Sequence, residues 1–338
     1  MIVVMNPDSS SEHIGHVQRL LGEMGAVSCV IQSARGKIIE IVGGNGHVDK
    51  SILEGAPMVE RVADEQSPLM AMDRKPGDQT HEVPLGKHAV IGGKKLAVIA
   101  GPCSVEDQSL LLEIAHAVKE AGAVGLRGGA FKPRTSPYTF QGLGEPGLEM
   151  LARAREETGL AIVTEVMCVQ QLDAVKECAD MLQIGSRNMH LPVLLAKVGE
   201  QDKPVLMKRG WSATFEEFIL AAEYVMKGGN ENVVLCERGI RAHEDYVRNT
   251  LALAIIPEVK RVSRLPIIAD PSHGTGRAHL VTPMSYAAVA CGADGLLIEV
   301  HVDPRRAWTD GSQSIDPVQF RSLMTNLKAF AEVSGRTL

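Results

Sequence analysis

The sequence predicts an α/β protein made of a (β/α)8 TIM barrel preceded by a small ferredoxin-like βαββαβ domain. Two observations lead to this fold class. From residue 95 onward, eight short apolar segments alternate with amphipathic helical segments, whereas the first 70 residues follow a strand-helix-strand-strand-helix-strand order. Eight βα units in about 240 residues are typical of a closed barrel, and an open doubly wound sheet usually has fewer strands.

The amino-terminal domain is predicted to span residues 1–70. IVVMN is a strand, and Ile14, Val17 and Leu21 recur at the spacing of one helix face. VSCVIQ and KIIEIVG form a hairpin through SARG, HVDKSILEGA forms a second helix, and MVERVADE is the last strand. Residues 71–94 follow as a polar linker and a hairpin, HEVPLGKHAVIGG, which we expect to cap the bottom of the barrel.

The catalytic barrel is predicted for residues 95–338. Its strands are nearly continuous apolar segments, as parallel strands covered on both faces must be. In chain order they are KLAVIAG, VGLRGG, AIVTEV, MLQIGS, PVLMKRG, VVLCERG, PIIADPSH and GLLIEVHV. Helical segments such as SLLLEIAHAVKEAG and TFEEFILAAEYVMKGG separate them. We therefore expect each strand to be followed by a helix that covers the outside of the barrel.

Composition limits the partners of the protein. A formal net charge of -6 argues against nucleic acid or an anionic membrane surface. No segment approaches the roughly 18 apolar residues that a membrane span needs. The amino terminus lacks the basic region of a signal peptide, and the six cysteines contain no CxxC pair. These features predict a cytoplasmic protein with reduced thiols.

Polar side chains follow every predicted barrel strand. In such barrels the chemistry lies where strands run into the following loops. The residues at these positions are Cys103, Arg127, Glu165, Arg187, Lys208, Arg238, His273 and Glu299. Any one of them has an ordinary explanation as a loop residue, but eight in succession predict a functional site at this end of the barrel.

Cations dominate this set. The six that we expect to face one mouth are Arg127, Lys132, Arg134, Arg187, Lys208 and Arg238. They would repel each other strongly unless an anion occupied the space between them. Since each phosphate carries about -1.5 to -2 charges, two phosphates and one carboxylate would nearly neutralise the six. The sequence therefore predicts a multiply anionic substrate, gripped largely by guanidinium groups.

A second group combines a thiol, an imidazole and two carboxylates: Cys103, His273, Glu299 and Asp310. In a closed barrel the first strand pairs with the eighth, and the eighth pairs with the seventh. Three of these residues therefore end adjacent strands, and Asp310 comes from the loop after the eighth. Such a ligand set predicts one divalent transition metal ion of the Mn, Fe, Co or Zn class, whose identity the ligands do not fix.

The motifs that carry these residues resemble those of a known enzyme family. They are AGPCSVE, LRGGAFKPRTSPYTFQGLG, QIGSRN, KRG, CERGIR, DPSHGTGR and EVHVDP followed by WTDGSQS. In order, through residues 95–320, they resemble the short, type I beta class of 3-deoxy-D-arabino-heptulosonate 7-phosphate (DAHP) synthases. These enzymes join phosphoenolpyruvate to erythrose 4-phosphate in the first step of the shikimate pathway, which leads to the aromatic amino acids.

The resemblance implies a role for each site residue. It implies that the metal ligands are Cys103, His273, Glu299 and Asp310. Phosphoenolpyruvate binding carries over onto Arg127, Lys132, Arg187, Lys208 and Arg238. Erythrose 4-phosphate binding carries over onto the Lys132–Ser136 segment, with Arg134, Thr135 and Ser136 near the phosphate. Lys132 is our candidate proton donor to the forming alkoxide, and a metal-bound water is the rival candidate.

The amino-terminal domain resembles the regulatory domain that some members carry. It contributes none of the residues named above, so we expect it to bind an end product, tyrosine or phenylalanine, as a feedback effector. The alternative is a module that only dimerises or caps the barrel. The resemblance also implies a homo-oligomer, for which we expect a tetramer.

Two other functions remain open at this point. 3-Deoxy-octulosonate 8-phosphate synthase has a similar barrel and uses arabinose 5-phosphate, but it typically has Asn where this chain has Pro133. It also lacks the amino-terminal domain. A non-catalytic sugar-phosphate sensor is the other possibility, although binding alone requires no Lewis acid.

Overall fold

The chain folds into two compact units, Met1–Met70 and Ala71–Leu338. The computed structural model describes residues 1–33, 36–44, 46–63, 71–134 and 136–338. The SARG turn of the amino-terminal hairpin and the predicted site residue Thr135 fall wholly or partly outside these ranges. Among the described residues, no helix has both the length and the apolar character needed to cross a membrane.

The amino-terminal unit is a four-stranded antiparallel sheet with two helices. Its elements are β1 (Ile2–Met5), α1 (Ser11–Glu23), β2 (Ala26–Ser33), β3 (Gly36–Gly44), α2 (Lys50–Glu54) and β4 (Val59–Ala63). The strands lie in the order β2-β3-β1-β4. Val3, Val17, Leu21, Ile39 and Leu53 are fully buried in one core between the sheet and the helices. This arrangement confirms the predicted βαββαβ order, although α2 is shorter than the ten-residue segment that suggested it.

The second unit begins with a segment that packs along the barrel. Between residues 71 and 81, the backbone N–H of Arg74 donates to Val262 and that of His81 donates to Arg264. Strands β5 (Val83–Leu85) and β6 (Ala89–Ile91) then form an antiparallel hairpin. Its apolar side chains belong to the same core cluster as the first residues of three barrel strands: Val83, Leu85 and Ile91 pack with Ala97, Ala161 and Met181. The hairpin therefore covers the amino-terminal end of the barrel interior.

Eight parallel strands close the barrel. They are β7 (Ala97–Gly101), β8 (Gly125–Arg127), β9 (Ala161–Glu165), β10 (Met181–Ile184), β11 (Val205–Lys208), β12 (Val233–Glu237), β13 (Ile267–Ala269) and β14 (Gly295–Glu299). Closure is made by β14, which pairs with β7 from Gly295 opposite Ala97 to Glu299 opposite Gly101. The closed ring confirms the predicted barrel and excludes the open doubly wound sheet.

Helices follow the strands; most of them cover the outside of the ring, and one of five residues lies at the mouth, where it carries His273. They are α3 (Gln108–Glu120), α4 (Glu145–Thr158), α5 (Leu172–Cys178), α6 (Pro192–Gly199), α7 (Phe215–Lys227), α8 (Ile255–Val262), α9 (Pro271–Thr275), α10 (Ala278–Ala290) and α11 (Pro317–Val333). Local sequence explains where several of them begin. Thr214 and Glu217 form a capping box at the start of α7, and Asp316 and Gln319 form one at the start of α11.

Candidate active site

The carboxyl ends of the barrel strands surround a cavity of about 290 Å³. Its described lining contains most of the predicted site residues, namely Arg127, Lys132, Arg134, Ser136, Glu165, Arg187, Lys208, Arg238, His273 and Asp310. Cys103 and Glu299 are buried and lie next to these residues. Thr135 is the one predicted site residue outside the described part of the chain. The structure thus brings together the sequence-predicted residues that it describes.

Four of these side chains could hold one metal ion. The ligand atoms of Cys103, His273, Glu299 and Asp310 all lie within 4.8 Å of one another. Bonds from a divalent transition metal to such ligands are about 2.0–2.3 Å, so ligand atoms around one ion are at most roughly 4.6 Å apart. The largest separation between these ligand atoms is therefore within a few tenths of an ångström of the separation that a single bound metal ion would allow. Their chemistry, one thiol, one imidazole and two carboxylates, fits a transition metal.

His273 is held in the orientation that a metal ligand requires. It lies in the short helix α9, where the Asp270 carboxylate caps the helix by accepting from the His273 backbone N–H at 2.9 Å. The same carboxylate lies 2.8 Å from His273 Nδ1. We assign the proton to Nδ1 because Asp270 can only accept there, which leaves Nε2 free to bind a metal. Burial lowers the pKa of His273 to about 4, so the ring is neutral at neutral pH.

Cys103 follows β7, where Gly101 allows a close approach between strands. A Cβ at Gly101 would lie 2.2 Å from the carbonyl oxygen of Arg127. The Cys103 Sγ lies 3.1 Å from Asp310 Oδ2 and 3.0 Å from Lys132 Nζ. Burial, reinforced by the nearby Glu299 carboxylate, raises the pKa of the Cys103 thiol to about 12. The thiol is therefore protonated here, and a metal ion bound to Cys103 Sγ would have to displace that proton.

Glu299, at the end of β14, is fully buried. Its Oε2 accepts from Gln313 Nε2 at 2.7 Å. Among the described residues, no donor makes a hydrogen bond of good geometry to its Oε1, although Arg127 Nη2 and His273 Nε2 lie 3.1 and 3.3 Å away. A buried carboxylate oxygen without a proper donor, placed next to Nε2 of His273, is the arrangement expected of a second metal ligand.

Asp310 comes from the loop after β14, as predicted. Its backbone has a φ of +51°, in the left-handed region that residues other than glycine seldom adopt. Arg248 Nη1 donates to Asp310 Oδ1 at 3.3 Å and to Gln313 Oε1 at 3.0 Å. Burial alone would raise the pKa of Asp310, but His273 and Arg248 outweigh burial and hold this pKa below its usual range. Strained, ionised carboxylates of this kind are frequent at functional sites.

The structure corrects one part of the charge argument. Two of the six predicted cations are paired with buried protein carboxylates, Arg127 with Glu299 at 3.1 Å and Lys208 with Asp270 at 2.6 Å. A bound anion is therefore not needed to neutralise them. A seventh cation, Arg248, also lines the cavity and was missed from the sequence. Arg248 is itself paired with Asp310 at 3.3 Å, so three of the seven cations that line the mouth have a protein carboxylate as partner.

Ion pairing and burial also act on other charged side chains at this end of the barrel. Arg209 is buried and pairs with Glu237 at 2.9 Å, so it holds the loops rather than facing the cavity. Burial lowers the pKa of Arg187 and of Arg238. Burial also acts to lower the pKa of Lys132, but the nearby Cys103 and Glu165 groups outweigh it and raise this pKa. Lys132 is therefore an ammonium at neutral pH and can donate a proton.

Several functional neighbours were not found from the sequence alone. Asp270, Gln313 and Arg248 support the four clustered side chains through the hydrogen bonds given above, and Trp211 lines the cavity. Asp270 and Gln313 fall within the DPSHGTGR and WTDGSQS motifs, so their position beside predicted ligands was a usable signal. Arg248 lies in the long connection between β12 and α8. The length of that connection was the only hint, since long loops in compact domains are often functional.

Fold and site together define a (β/α)8-barrel enzyme with an anion-binding mouth beside a candidate metal centre. The sequence model of the DAHP synthetase I family matches residues 77–333, and that of the DAHP synthase ferredoxin-like domain matches residues 1–64. The chain belongs to the DAHP synthetase I family.

Known relatives agree with this assignment. Phospho-2-dehydro-3-deoxyheptonate aldolase of Thermotoga maritima is 44% identical over 99% of both chains. A crystal structure of that Thermotoga maritima enzyme, also described as DAHP synthase, superposes with a TM-score of 0.79 at 42% identity and covers 99% of this chain and 98% of its own. A 2-dehydro-3-deoxyphosphooctonate aldolase of Nitratidesulfovibrio vulgaris is 32% identical, over 74% of this chain and 96% of the relative.

Proposed function

We propose that this chain is a DAHP synthase, which condenses phosphoenolpyruvate with erythrose 4-phosphate and releases inorganic phosphate. Family membership supports the reaction, and full-length similarity to a heptonate aldolase supports the four-carbon aldose phosphate as the second substrate. The single observation that carries the proposal is a cavity lined by seven Arg and Lys side chains among its described residues, next to the Cys/His/Glu/Asp cluster. Three of these cations are also paired with protein carboxylates, and substrates with two phosphates and one carboxylate suit the positive charge that the other cations add.

We assign the cations to the two substrates as the family resemblance implies. Phosphoenolpyruvate would be bound by the buried Arg127, Lys132, Lys208 and Arg238 and by the exposed Arg187. Arg134 and Ser136, together with Thr135 outside the described residues, would bind the phosphate of erythrose 4-phosphate. Arg134 suits this role because its Nε donates to Thr139 Oγ1 at 3.1 Å, and a guanidinium group has further N–H donors that can bind a phosphate.

One divalent metal ion would be held by Cys103, His273, Glu299 and Asp310. When bound, it would supply Lewis-acid activation of the erythrose 4-phosphate aldehyde. The hydrogen bond from His273 Nδ1 to Asp270 and that from Gln313 to Glu299 would fix the orientation of two of these side chains. We propose a metal of the Mn, Fe, Co or Zn class, because the mixed ligand set suits any of them.

In the proposed reaction, C3 of phosphoenolpyruvate attacks the aldehyde carbon and a carbon–carbon bond forms. The Lys132 ammonium, which lies 3.0 Å from Cys103 Sγ, would give its proton to the aldehyde oxygen as negative charge develops there. Water then adds to C2, and collapse of that centre breaks the bond to the phosphate oxygen and leaves the 2-keto group. The cations would hold both reactants in line and stabilise the released phosphate.

We also propose that the amino-terminal unit binds tyrosine or phenylalanine as a feedback effector. The match of residues 1–64 to the family's ferredoxin-like domain supports this role. The unit also has its own buried core and supplies none of the residues assigned to catalysis. We further propose a cytoplasmic homo-oligomer, a tetramer, which light scattering would test.

Phosphate release measured with each aldose phosphate in turn tests the proposal. Purified enzyme with added divalent metal and phosphoenolpyruvate should release phosphate with erythrose 4-phosphate and far less with arabinose 5-phosphate. Preferential use of arabinose 5-phosphate would instead support the octulosonate function suggested by the shorter relatives. Binding of sugar phosphates without any phosphate release would support a sensor.

A further inference from the structure

Trp308 and Phe140 form an aromatic contact between two loops at the mouth of the barrel. Trp308 is the first residue of the WTDGSQS motif, in the loop after β14, and Phe140 lies in the long connection between β8 and α4. Their ring centroids are 5.0 Å apart, and the two ring planes meet at 84°. This edge-to-face geometry is favourable, because the positive edge of one ring points at the negative face of the other.

Phe140 lies between two residues that organise the proposed binding segment for erythrose 4-phosphate. Before it in the chain, Thr139 Oγ1 accepts from Arg134 Nε at 3.1 Å and donates to the carbonyl oxygen of Ser136 at 2.9 Å. After it, the side-chain amide of Gln141 donates to the same Ser136 carbonyl oxygen at 3.3 Å. The position of Phe140 is therefore linked, through its two neighbours, to the described residues assigned to the phosphate of this substrate.

The Trp308 ring is carried by a segment that is bonded to the loop after β7. The backbone N–H of Trp308 donates to Glu106 Oε1 at 2.8 Å, and the Glu106 side chain is only 6% exposed. The next residue, Thr309, shares a buried hydrogen bond with the Ser104 hydroxyl at 2.6 Å. Neither bond involves Phe140. The segment thus holds the Trp308 backbone in place, and the ring gives Phe140 a surface to pack on.

We infer that Trp308 is a positioning residue that holds the binding segment for erythrose 4-phosphate in place relative to the candidate metal centre. Trp308 lies two residues before the candidate ligand Asp310, so its contact with Phe140 connects the loop of that ligand to the segment around Arg134. The inference rests on the proposed function, in which the segment binds the phosphate of this substrate and the metal activates its aldehyde. Both ends of one substrate must then be held at once, so displacement of the segment would weaken binding.

Phosphoenolpyruvate binding should depend much less on this contact. Three of its proposed ligands are buried side chains at the ends of other strands or of β8 itself, namely Arg127, Lys208 and Arg238. The backbone N–H of Lys132 does donate to the carbonyl oxygen of Gln141, but the buried Lys132 Nζ also donates to the carbonyl oxygen of Cys103 at 3.1 Å. Loss of the aromatic contact should therefore act mainly on one substrate.

Steady-state kinetics of Trp308→Ala and Trp308→Phe at saturating divalent metal test the inference. The Ala variant should raise KM for erythrose 4-phosphate about fivefold, equivalent to about 1 kcal/mol, which is within the range that an aromatic pair contributes. Its kcat and its KM for phosphoenolpyruvate should stay within about twofold of wild type. The Phe variant keeps an aromatic ring and should stay within about twofold in all three constants. Tyr224→Ala, which removes an exposed aromatic ring from α7, is the matched control and should change nothing.

A double-mutant cycle gives a second readout that a merely structural role would not move. Phe140→Leu removes the other ring of the same contact and should also raise KM for erythrose 4-phosphate. The variant with both substitutions should be no worse than the worse single variant, whereas independent roles would multiply the two effects. Phe140→Leu also keeps the inference testable if Trp308→Ala fails to fold, which circular dichroism would reveal. Metal affinity, measured against a competing chelator, should stay at the wild-type value, because the backbone bond from Trp308 to Glu106 remains.

The inference is overturned if folded Trp308→Ala, or Phe140→Leu in its place, keeps its KM for erythrose 4-phosphate within about twofold of wild type. It is also overturned if the effects of the two single variants multiply in the double variant. Loss of metal affinity in Trp308→Ala would overturn it as well, because the ring would then support Asp310 instead of the binding segment. Failure of the proposed function gives a different result, in which the wild type itself does not consume erythrose 4-phosphate. The inference would fall with it.

Discussion

Replacing Asp270 by Asn should lower both the stability of the fold and the metal affinity of the candidate metal centre. The two effects can be measured separately. Asp270 is fully buried, and its carboxylate accepts from Lys208 Nζ at 2.6 Å and from His273 Nδ1 at 2.8 Å. Burial alone would raise the pKa of Asp270, but His273 and Lys208 outweigh burial and hold this pKa well below its usual range. Asp270 is therefore ionised at neutral pH, and the substitution removes a buried negative charge with little change in shape.

Two effects of Asp270→Asn follow from these contacts. Lys208, whose side chain is 4% exposed, would keep its charge without a partner. Breaking a buried ion pair in this way costs about 3–5 kcal/mol. Loss of the carboxylate behind His273 should also weaken metal binding by about 10- to 100-fold. Because the folded pKa of Asp270 is depressed, the stabilisation is fully present above the unfolded pKa of about 3.9 and is lost as pH falls below it. The wild type should thus keep its advantage from about pH 5 to 8.

Thermal unfolding without added metal measures the first effect, and metal titration against a competing chelator measures the second. Asp294→Asn is the matched control. Asp294 is equally buried, accepts from Lys260 Nζ at 2.7 Å and also pairs with Arg336, but it precedes β14 at the opposite end of the barrel. It should lose comparable stability and bind metal normally. The reasoning is refuted if Asp270→Asn binds metal as tightly as the wild type, or if Asp294→Asn loses the same metal affinity.

Three further predictions concern the metal, the substrates and regulation. Cys103→Ala should abolish turnover while keeping the melting temperature close to that of the wild type, and full wild-type activity in excess chelator would contradict a metal role. Arg187→Ala and Arg238→Ala should raise KM mainly for phosphoenolpyruvate, and Arg134→Ala should raise KM mainly for erythrose 4-phosphate. If each variant raised the two KM values equally, the assignment of these arginines to different substrates would be wrong. Deleting residues 1–70 should retain catalysis and abolish inhibition by tyrosine or phenylalanine, whereas a full-length enzyme indifferent to both would refute the regulatory role.

The barrel was predictable because its strands have a distinctive composition. A parallel strand covered on both faces must be apolar throughout, so segments such as AIVTE and VVLCE stand out against the amphipathic helices between them. The capping hairpin was also foreseeable, since its buried Val83 and Leu85 alternate with an exposed Pro84. The short α2 was harder to delimit, because its extent depends on the Asp49 cap and the packing of Leu53 more than on helical periodicity.

The candidate metal cluster was predictable for a topological reason. Once the sheet is closed, β13, β14 and β7 must be neighbours, so the residues that follow them meet at one edge. The partners of those residues were not predictable in the same way. That Arg127 pairs with Glu299 and Lys208 with Asp270 depends on side-chain directions within the mouth, which no pattern of residue types specifies. The same holds for Arg248, which reaches the cluster from a loop without regular structure.

Mass spectrometry of the product tests the proposed function most directly. The purified enzyme is incubated with a divalent metal, phosphoenolpyruvate and an equimolar mixture of erythrose 4-phosphate and arabinose 5-phosphate. We predict a seven-carbon 2-keto sugar phosphate, formed in equal amount to the released phosphate and absent in excess chelator. An eight-carbon product, or a seven-carbon product that forms equally well in excess chelator, would contradict a metal-dependent DAHP synthase.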